Sequence, residues 1–470
     1  MFSREAWEQE GREIRELVSR FERAVIENAS AFFEDDDLEQ IIEHYQDTDN
    51  LDRALMAADY ALGINPYNAT FYIRKADVLF EQRRFDEAWA CTEQAAVYDP
   101  SEVEIFYLRA DLHVQREEYA QALACLEEAL LRADADEHDQ ILVEMAEVYG
   151  DLTQYDRMFD CLRQALERNP TADEALQKLA FCMDMSGHYE AGITLCHSLI
   201  DANPYSFVAW HTLGKAYAGM QLFEKAMEAF EYVQAIDERY LPVYRDWGEA
   251  YFRLGKYREA MAAFLQAIDR EDPQDTIFFR IGLCREYLGE LSGARHHYRK
   301  ALQADAFNDE ALYRIGCTYV AENNVDKAMR HFRKAVDLSP DNAEYRAAMG
   351  RLFDHQDDPD HALVSYREAL RLRPDYDKHW IAYAVLLSKS GEREAAVSAA
   401  EEALVHCGDM PVLFYLHGAC LLAAGRRREG ARSLEQAMDL DAASHTVLFE
   451  LFPDLVKDPL VLDLIDQYSR

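Results

Sequence analysis

A stretch of 34 residues recurs along this chain, and a chain with that period does not close around one globular core. Each repeat is too short to bury its apolar face alone and hides it against its neighbours, which produces a stacked array. Two consecutive units make the pattern plain. Trp210-x-x-Leu213-Gly214-x-x-Tyr217 leads into Phe223-x-x-Ala226-x-x-x-Phe230. Tyr244-x-x-Trp247-Gly248-x-x-Tyr251 leads into Tyr257-x-x-Ala260-x-x-x-Phe264-x-x-Ala267.

Aligned on the small residue of the first helix, A, the units start near Asp35, Ala69, Val103, Asp139, Asp173, Phe207, Leu241, Asp275, Asp309, Ala343, Asp377 and Pro411. Every step is 34 residues except one of 36, where Ala133 to His138 lengthens a loop. Small residues on helix A (Ala146, Gly214, Gly248, Gly282, Gly316, Gly350, Gly418) let the second helix, B, come close. Helix B answers with alanines, among them Ala54, Ala88, Ala226, Ala294 and Ala396, while Leu213, Trp247, Ile281, Phe230 and Phe332 fill the space left over. Pro66, Pro100, Pro170, Pro204, Pro340 and Pro374 end helix B, since proline has no donor with which to continue it. Ile42, Met158, Arg393 and Arg427 depart from the pattern, at positions where a small residue, an alanine and two aromatics are expected.

These residues resemble the tetratricopeptide repeat, TPR, over about 35–444. The resemblance implies an all-α fold: a right-handed superhelical α-solenoid of about twelve helix-turn-helix units with helical caps at both ends. Residues 1–34 read as an N-terminal capping helix, with Trp7, Ile14, Leu17, Val18, Phe21 and Val25 on one side. Residues 445–470, rich in Leu, Val, Ile and Phe, read as a C-terminal capping helix.

The formal charge is −39, and its distribution is uneven. Residues 1–238 hold 19 Lys+Arg against 50 Asp+Glu; residues 239–351 hold 18 against 17; residues 352–470 hold 12 against 21. Such acidity disfavours nucleic acid and anionic membranes, while the neutralised middle stretch has room for an anionic or mixed-charge partner. No run approaches the length of an apolar membrane span, and the acidic start is unlike a secretory signal. The nine cysteines occur singly, with Cys91, Cys125 and Cys161 at one repeat position, as small packing residues of a reducing cytoplasm do.

Catalytic patterns are missing: there is no phosphate loop, no HExxH, no G-x-S-x-G and no metal-spaced Cys/His set. His296 and His297 read as surface residues of a helix B, and the acid runs Glu34–Asp37 and Asp357–Asp360 as solvated helix ends. The expectation is a non-enzyme without cofactor or metal.

What remains is recognition. In TPR arrays helix A lines the groove, and the resemblance places ligand contacts at its outward positions. There this chain carries Arg245, Arg253, Phe279, Arg280, Tyr313, Arg314 and Arg351. Arg280 and Arg314 share one register, each preceded by an aromatic, a pairing of guanidinium fork and apolar ring suited to carboxylate or phosphate. The competing reading pairs these arginines internally with Glu249, Glu286 or Glu310. The Lys/Asn/Arg set of carboxylate-clamp TPRs is absent: Asp36, Gln40, Thr70, Arg74, Glu104, Leu108, Thr276, Arg280, Glu310 and Arg314 stand at the corresponding places. The asparagine ladder of the O-linked sugar transferases is missing too.

The sequence therefore predicts a cytoplasmic, non-catalytic scaffold or adaptor that holds a protein or peptide partner in its concave groove. Two alternatives stand beside it. One is a structural subunit or homo-oligomer docking through its convex face and termini; the other is a regulatory protein in secretion or signalling.

Overall fold

The computed structural model describes residues 4–27, 32–268 and 275–468, with side chains of the first helix described over 14–25. Its described residues form helices joined by short turns. The chain divides into two compact units, Met1–Val243 and Tyr244–Arg470.

In the first unit α1 (Arg4–Glu27) precedes helix-turn-helix pairs: α2 (Asp35–Asp47) with α3 (Leu51–Ile64), α4 (Ala69–Glu81) with α5 (Phe85–Tyr98), and α6 (Val103–Gln115) with α7 (Tyr119–Arg132). Three more follow: α8 (His138–Asp151) with α9 (Tyr155–Arg168), α10 (Asp173–Ser186) with α11 (Tyr189–Ala202), and α12 (Phe207–Gly219) with α13 (Phe223–Ile236). Helix α14 (Pro242–Arg253) opens the second series and pairs with α15 (Tyr257–Ile268). Then come α16 (Asp275–Tyr287) with α17 (Leu291–Ala304), α18 (Asp309–Ala321) with α19 (Val325–Leu338), and α20 (Ala343–His355) with α21 (Pro359–Leu372). The last pairs are α22 (Asp377–Lys389) with α23 (Arg393–Cys407) and α24 (Pro411–Ala423) with α25 (Arg427–Asp441). The fold is all-α, of paired helix-turn-helix, solenoid-like type.

The turn between paired helices carries a left-handed residue at one register throughout the pairs. Asp49, Arg83, Glu117, Thr153, Gln221, Asn323 and Asp357 have φ between 55° and 61°, and Gly187, Gly255, Gly289, Gly391 and Gly425 stand at the same register with φ of 73–86°. A left-handed residue reverses the chain here; glycine adopts that conformation freely, whereas the seven non-glycine residues adopt it at a cost. Helix B stops two residues before each proline, as at Ile64 before Pro66. Asn68, Ser206, Asn308 and Asn342 then cap the next helix A by accepting from its first free backbone N–H groups.

Close approach within a pair falls where the small residues stand. A Cβ on Gly214, Gly282 or Gly316 would lie 2.2–2.5 Å from a ring carbon of Phe230, Tyr298 or Phe332. The helix-B alanines Ala54, Ala88, Ala226, Ala294 and Ala396 are fully buried. In the unit with Met158 at that place the contact is looser: a Cβ on Gly150 would meet the Met158 sulfur at 3.4 Å, an ordinary van der Waals distance.

At the first unit's start, Phe21 and Ala24 are buried with Leu38, Ile41 and Tyr45; the side chain of Trp7 and residues 28–31 lie outside the described residues. Residues 445–470, expected as one capping helix, are divided among a 3-10 turn (Ala442–His445), α26 (Thr446–Leu451), a second 3-10 turn (Pro453–Lys457) and α27 (Pro459–Tyr468). Pro453 and Pro459 start new elements here, and Leu448, Val461 and Leu464 pack against Tyr415, Leu434 and Met438. Arg427 grips Asp458 through two nitrogens at 2.8 and 2.9 Å, tying this segment to α25.

Candidate functional site

All seven sequence-selected residues belong to the second unit, on four successive A helices. Arg245 and Arg253 are exposed on α14, with Arg245 Nε 3.6 Å from Asp246 Oδ1. On α16, Arg280 reaches back to the preceding A helix: its Nε lies 3.2 Å from Glu249 Oε2, and its guanidinium sits 5.6 Å from the Phe252 ring centroid. Arg314 on α18 does the same, with nitrogens 3.8 Å from Glu286 Oε1 and 3.6 Å from Glu310 Oε1. The internal pairing with Glu249, Glu286 and Glu310 is therefore present.

These pairs are loose. The Arg280 and Glu249 side chains are 40% and 34% exposed, and solvent-open ion pairs of this kind contribute only about 0–1 kcal/mol. Both Arg314 contacts exceed hydrogen-bond length, and Arg314 Nε is buried without an acceptor. With its side chain 30% exposed and its NH1 and NH2 contacts this long, the Arg314 guanidinium can exchange those glutamates for an incoming oxyanion.

The two aromatics are walls rather than free faces. Phe279 is half-buried with its ring 5.5 Å from Tyr298, whose hydroxyl donates to Glu286 Oε2 at 2.5 Å. Tyr313 stacks on Tyr345 at 4.8 Å and donates to Glu344 Oε1 at 3.2 Å. Burial pushes the hydroxyls of Tyr298 and Tyr313 well above the ordinary phenol range, so both stay protonated donors.

Glu344 is a junction the sequence reading missed. Besides Tyr313, it takes Arg351 at 2.6 Å and His379 at 3.4 Å, joining α18, α20 and α22. The His379 hydrogen bond, reinforced by Arg351, holds its carboxyl down at about 2. Beside it Arg351 rims an apolar pocket of about 230 Å³, lined by Cys317, Val320, Val325, Phe332, Ala348 and Leu352. The available signal was Glu344 lying seven residues before Arg351 on one A helix, which spacing alone did not single out.

A second feature went unnoticed on the first unit's A helices. A cleft of about 530 Å³ between α4, α6 and α8 gathers Asp77, Glu104, Asp111, Glu144, Glu147 and Asp151, with Arg74 the cation on its wall. Desolvation first, then Glu147 and Asp111, pushes Glu144 up to about 7; desolvation, Asp77 and Glu147 bring Asp111 to about 6.

His297 is buried, with Nδ1 3.1 Å from the Gly293 carbonyl, and so is not the surface residue expected; His296 is exposed. The reason is register: His297 occupies the inward helix-B place that holds Cys91, Cys125 and Cys161 in earlier units. Burial pushes the Cys161 thiol up to about 11. Among the described residues no group of three or more His, Cys, Asp or Glu could hold a metal ion, and no helix is long and apolar enough to cross a membrane.

Three tetratricopeptide-repeat models match the sequence, one at 288–352, a second at 73–138 and 245–311, and a third at 139–171, 208–240 and 343–376, together more than half of the chain. No curated protein matches it. Among solved structures, yeast Tom70 is similar at 14% identity and a TM-score of 0.43, over 92% of this chain and 98% of that one. The APC/C hetero-tetramer Cut9-Hcn1 is similar at 15% identity and 0.38, over 82% and 96%. YrrB, a TPR protein with an unusual peptide-binding site, is similar at 18% and 0.34, over 38% and 93%. With the 34-residue register, the shared turn and the glycine–ring contacts, the matched models establish that this chain belongs to the tetratricopeptide-repeat family, whose repeats typically mediate protein–protein interactions and are usually non-catalytic.

Proposed function

We propose that this protein is a non-catalytic scaffold of the cytoplasm, holding a peptide or protein partner on the A-helix face between Arg245 and Arg351. The repeats of 35–444 form the working array, and the segments 1–34 and 445–470 cap it. Arg314 carries the reading: a guanidinium with a buried, unpaired Nε, held between Glu286 and Glu310 by contacts too long to be hydrogen bonds. A partner carboxylate or phosphate exchanges with such contacts at little cost and gains a charge-assisted bond of about 1.5–3 kcal/mol where water is excluded. Arg280 stands at the same register one unit earlier, more exposed and paired through its Nε with Glu249 alone among the described residues. The apolar pocket beside Arg351 supplies dry surface for a partner's apolar side chains, and the half-buried Phe279 and Tyr313 wall the face. The nine unpaired cysteines accord with a reducing compartment.

The test is R280E/R314E against wild type in a pull-down read by mass spectrometry, with circular dichroism as the folding control. Expected is loss of the captured partner with helicity and Tm unchanged. Capture by the double variant at wild-type level refutes the assignment of the partner to this face.

A further inference from the structure

The opposite, B-helix face of the second unit carries a surface that the groove reading does not use. Helix α17 holds Arg295, Arg299 and Lys300 and no acid; α19 holds Lys327, Arg330, Arg333 and Lys334 against Asp326 and Asp337. Lys300 lies partly sheltered, its Nζ 5.2 Å from the Phe278 ring centroid. Arg299, Arg330, Arg333 and Lys334 are exposed, and none of these has a carboxylate within ion-pair distance among the described residues. In a chain of net charge −39, unneutralised cations gathered on one face are the exception.

From the geometry we infer that α17 and α19 form a second recognition surface, whose occupant is a short acidic segment of a partner protein. Tyr319 of α18, itself buried, fixes the two helices' cations relative to each other. The guanidinium of Arg295 lies 4.5 Å and Lys327 Nζ 5.4 Å from its ring centroid, Arg299 donates to its hydroxyl at 3.1 Å, and His331 stacks on it at 5.7 Å. Arg295 is closed off by Glu322 at 2.8 Å, so it anchors the face while the outer cations stay available. Cations of both helices converge on His331: burial, then Lys334 and Arg299, depress its proton affinity.

The limits of the surface choose its occupant. At the register of Arg299 and Arg333 the next helix, α21, continues with Arg367, but α23 places Glu401 there, and α15 places Leu265. One residue on, Lys300 and Lys334 give way to Glu368 and Glu402 on one side and to Gln266 on the other. Glu368 is itself taken by Arg346. The positive strip thus spans three B helices roughly 10 Å apart, a length that about six extended residues cover. A long polyanion such as RNA, or an anionic membrane, would run past it onto acidic surface on the α23 side, where it is repelled, and onto uncharged positions on the α15 side, where no cation of this register holds it. A short run of Asp and Glu meets only the cations.

The experiment measures fluorescence anisotropy of a fluorescein-labelled peptide of alternating Asp and Glu, titrated with the full chain at low salt. Expected are saturable binding, about tenfold weaker binding by R330A/R333A/K334A, and unchanged binding by R280E/R314E. Raising the salt to about 0.5 M should abolish it, since screening then acts over about 4 Å. R333E is the second variant, and circular dichroism checks that both fold. Absence of saturable binding, equal affinity of the ridge variants, or loss confined to R280E/R314E overturns the inference; the last outcome would return the peptide to the groove. Single-stranded RNA or phosphatidylserine vesicles binding as tightly as the peptide would overturn the occupant. So would a concentration-dependent dimer abolished by the ridge substitutions, which would assign the surface to a second copy.

Discussion

Adding a single methyl group at three glycines should produce three different signs of stability change. At Gly282 a Cβ would lie 2.5 and 2.6 Å from two ring carbons of Tyr298, about 1 Å inside the carbon–carbon optimum of roughly 3.5–4.0 Å. Tyr298 cannot slide away, because it is fully buried and its hydroxyl is tied to Glu286. Overpacking of this kind costs about 1–3 kcal/mol, against about 0.5–1 kcal/mol gained when alanine replaces glycine in a helix. Gly282→Ala should therefore destabilise by about 1–2 kcal/mol, and lower the Tm of its unit by about 2–4 °C per kcal/mol. At Gly350 the nearest ring atoms of Tyr366 stand at 3.2 Å, so clash and helix gain should nearly cancel. At Gly63, exposed on α3 with nothing within 4 Å, alanine should stabilise by up to about 1 kcal/mol. Thermal and urea unfolding followed by circular dichroism gives the ranking. Repeat arrays depart from two-state behaviour, so midpoints of corresponding transitions are compared. In the double variant G282A/Y298L the two changes should cost less together than their sum, because the ring that clashes is gone. Equal effects at the three glycines, or a stabilising Gly282→Ala, would refute the claim that helix A and helix B meet at glycine for want of space.

Two further outcomes follow from local geometry. Thr153 is β-branched and holds φ at 55° where other units place glycine, so Thr153→Gly should stabilise by about 1 kcal/mol, read as a raised urea midpoint; an unchanged or lowered midpoint would remove the strain argument. In the acidic cleft the folded protein binds protons on Glu144 and Asp111 more tightly than the unfolded chain does. Their contribution is thus fully present below about pH 4 and is lost as pH rises through about 6 to 7. The buried His297 and the half-buried His331 and His417, with depressed affinity, act in the opposite sense, so the comparison is variant minus wild type. D111N/E144Q should raise Tm at pH 8 by more than at pH 5, and an equal shift at both values would show that these carboxyls do not titrate in that range.

Much of the fold could be read from the residues because its determinants are local. The predicted unit starts at Asp35, Ala69, Val103, Asp173, Phe207, Asp309, Ala343, Asp377 and Pro411 are each the first residue of a helix, since capping, proline stops and the alanine–glycine register act within one repeat. Even the burial of His297 was present in principle, in its register with Cys161. The division of 445–470 was harder to read: outside the period, apolar content alone does not say where a helix breaks.

The amino-acid sequence by itself determined the period, the helix pairs and the rule that small residues mark each crossing, because these depend on neighbours a few residues away. Tertiary packing decided which charges are satisfied. Glu249 meets Arg280, and Glu286 meets Arg314, across successive A helices, and Glu344 gathers Tyr313, Arg351 and His379 from three of them. It also sorted a mixed string of acids and bases into an acidic cleft on one unit and a cationic B-helix face on the other. Charge along a chain is one-dimensional, whereas the field a partner meets is set by which side chains a helix turns the same way and by which helix lies alongside.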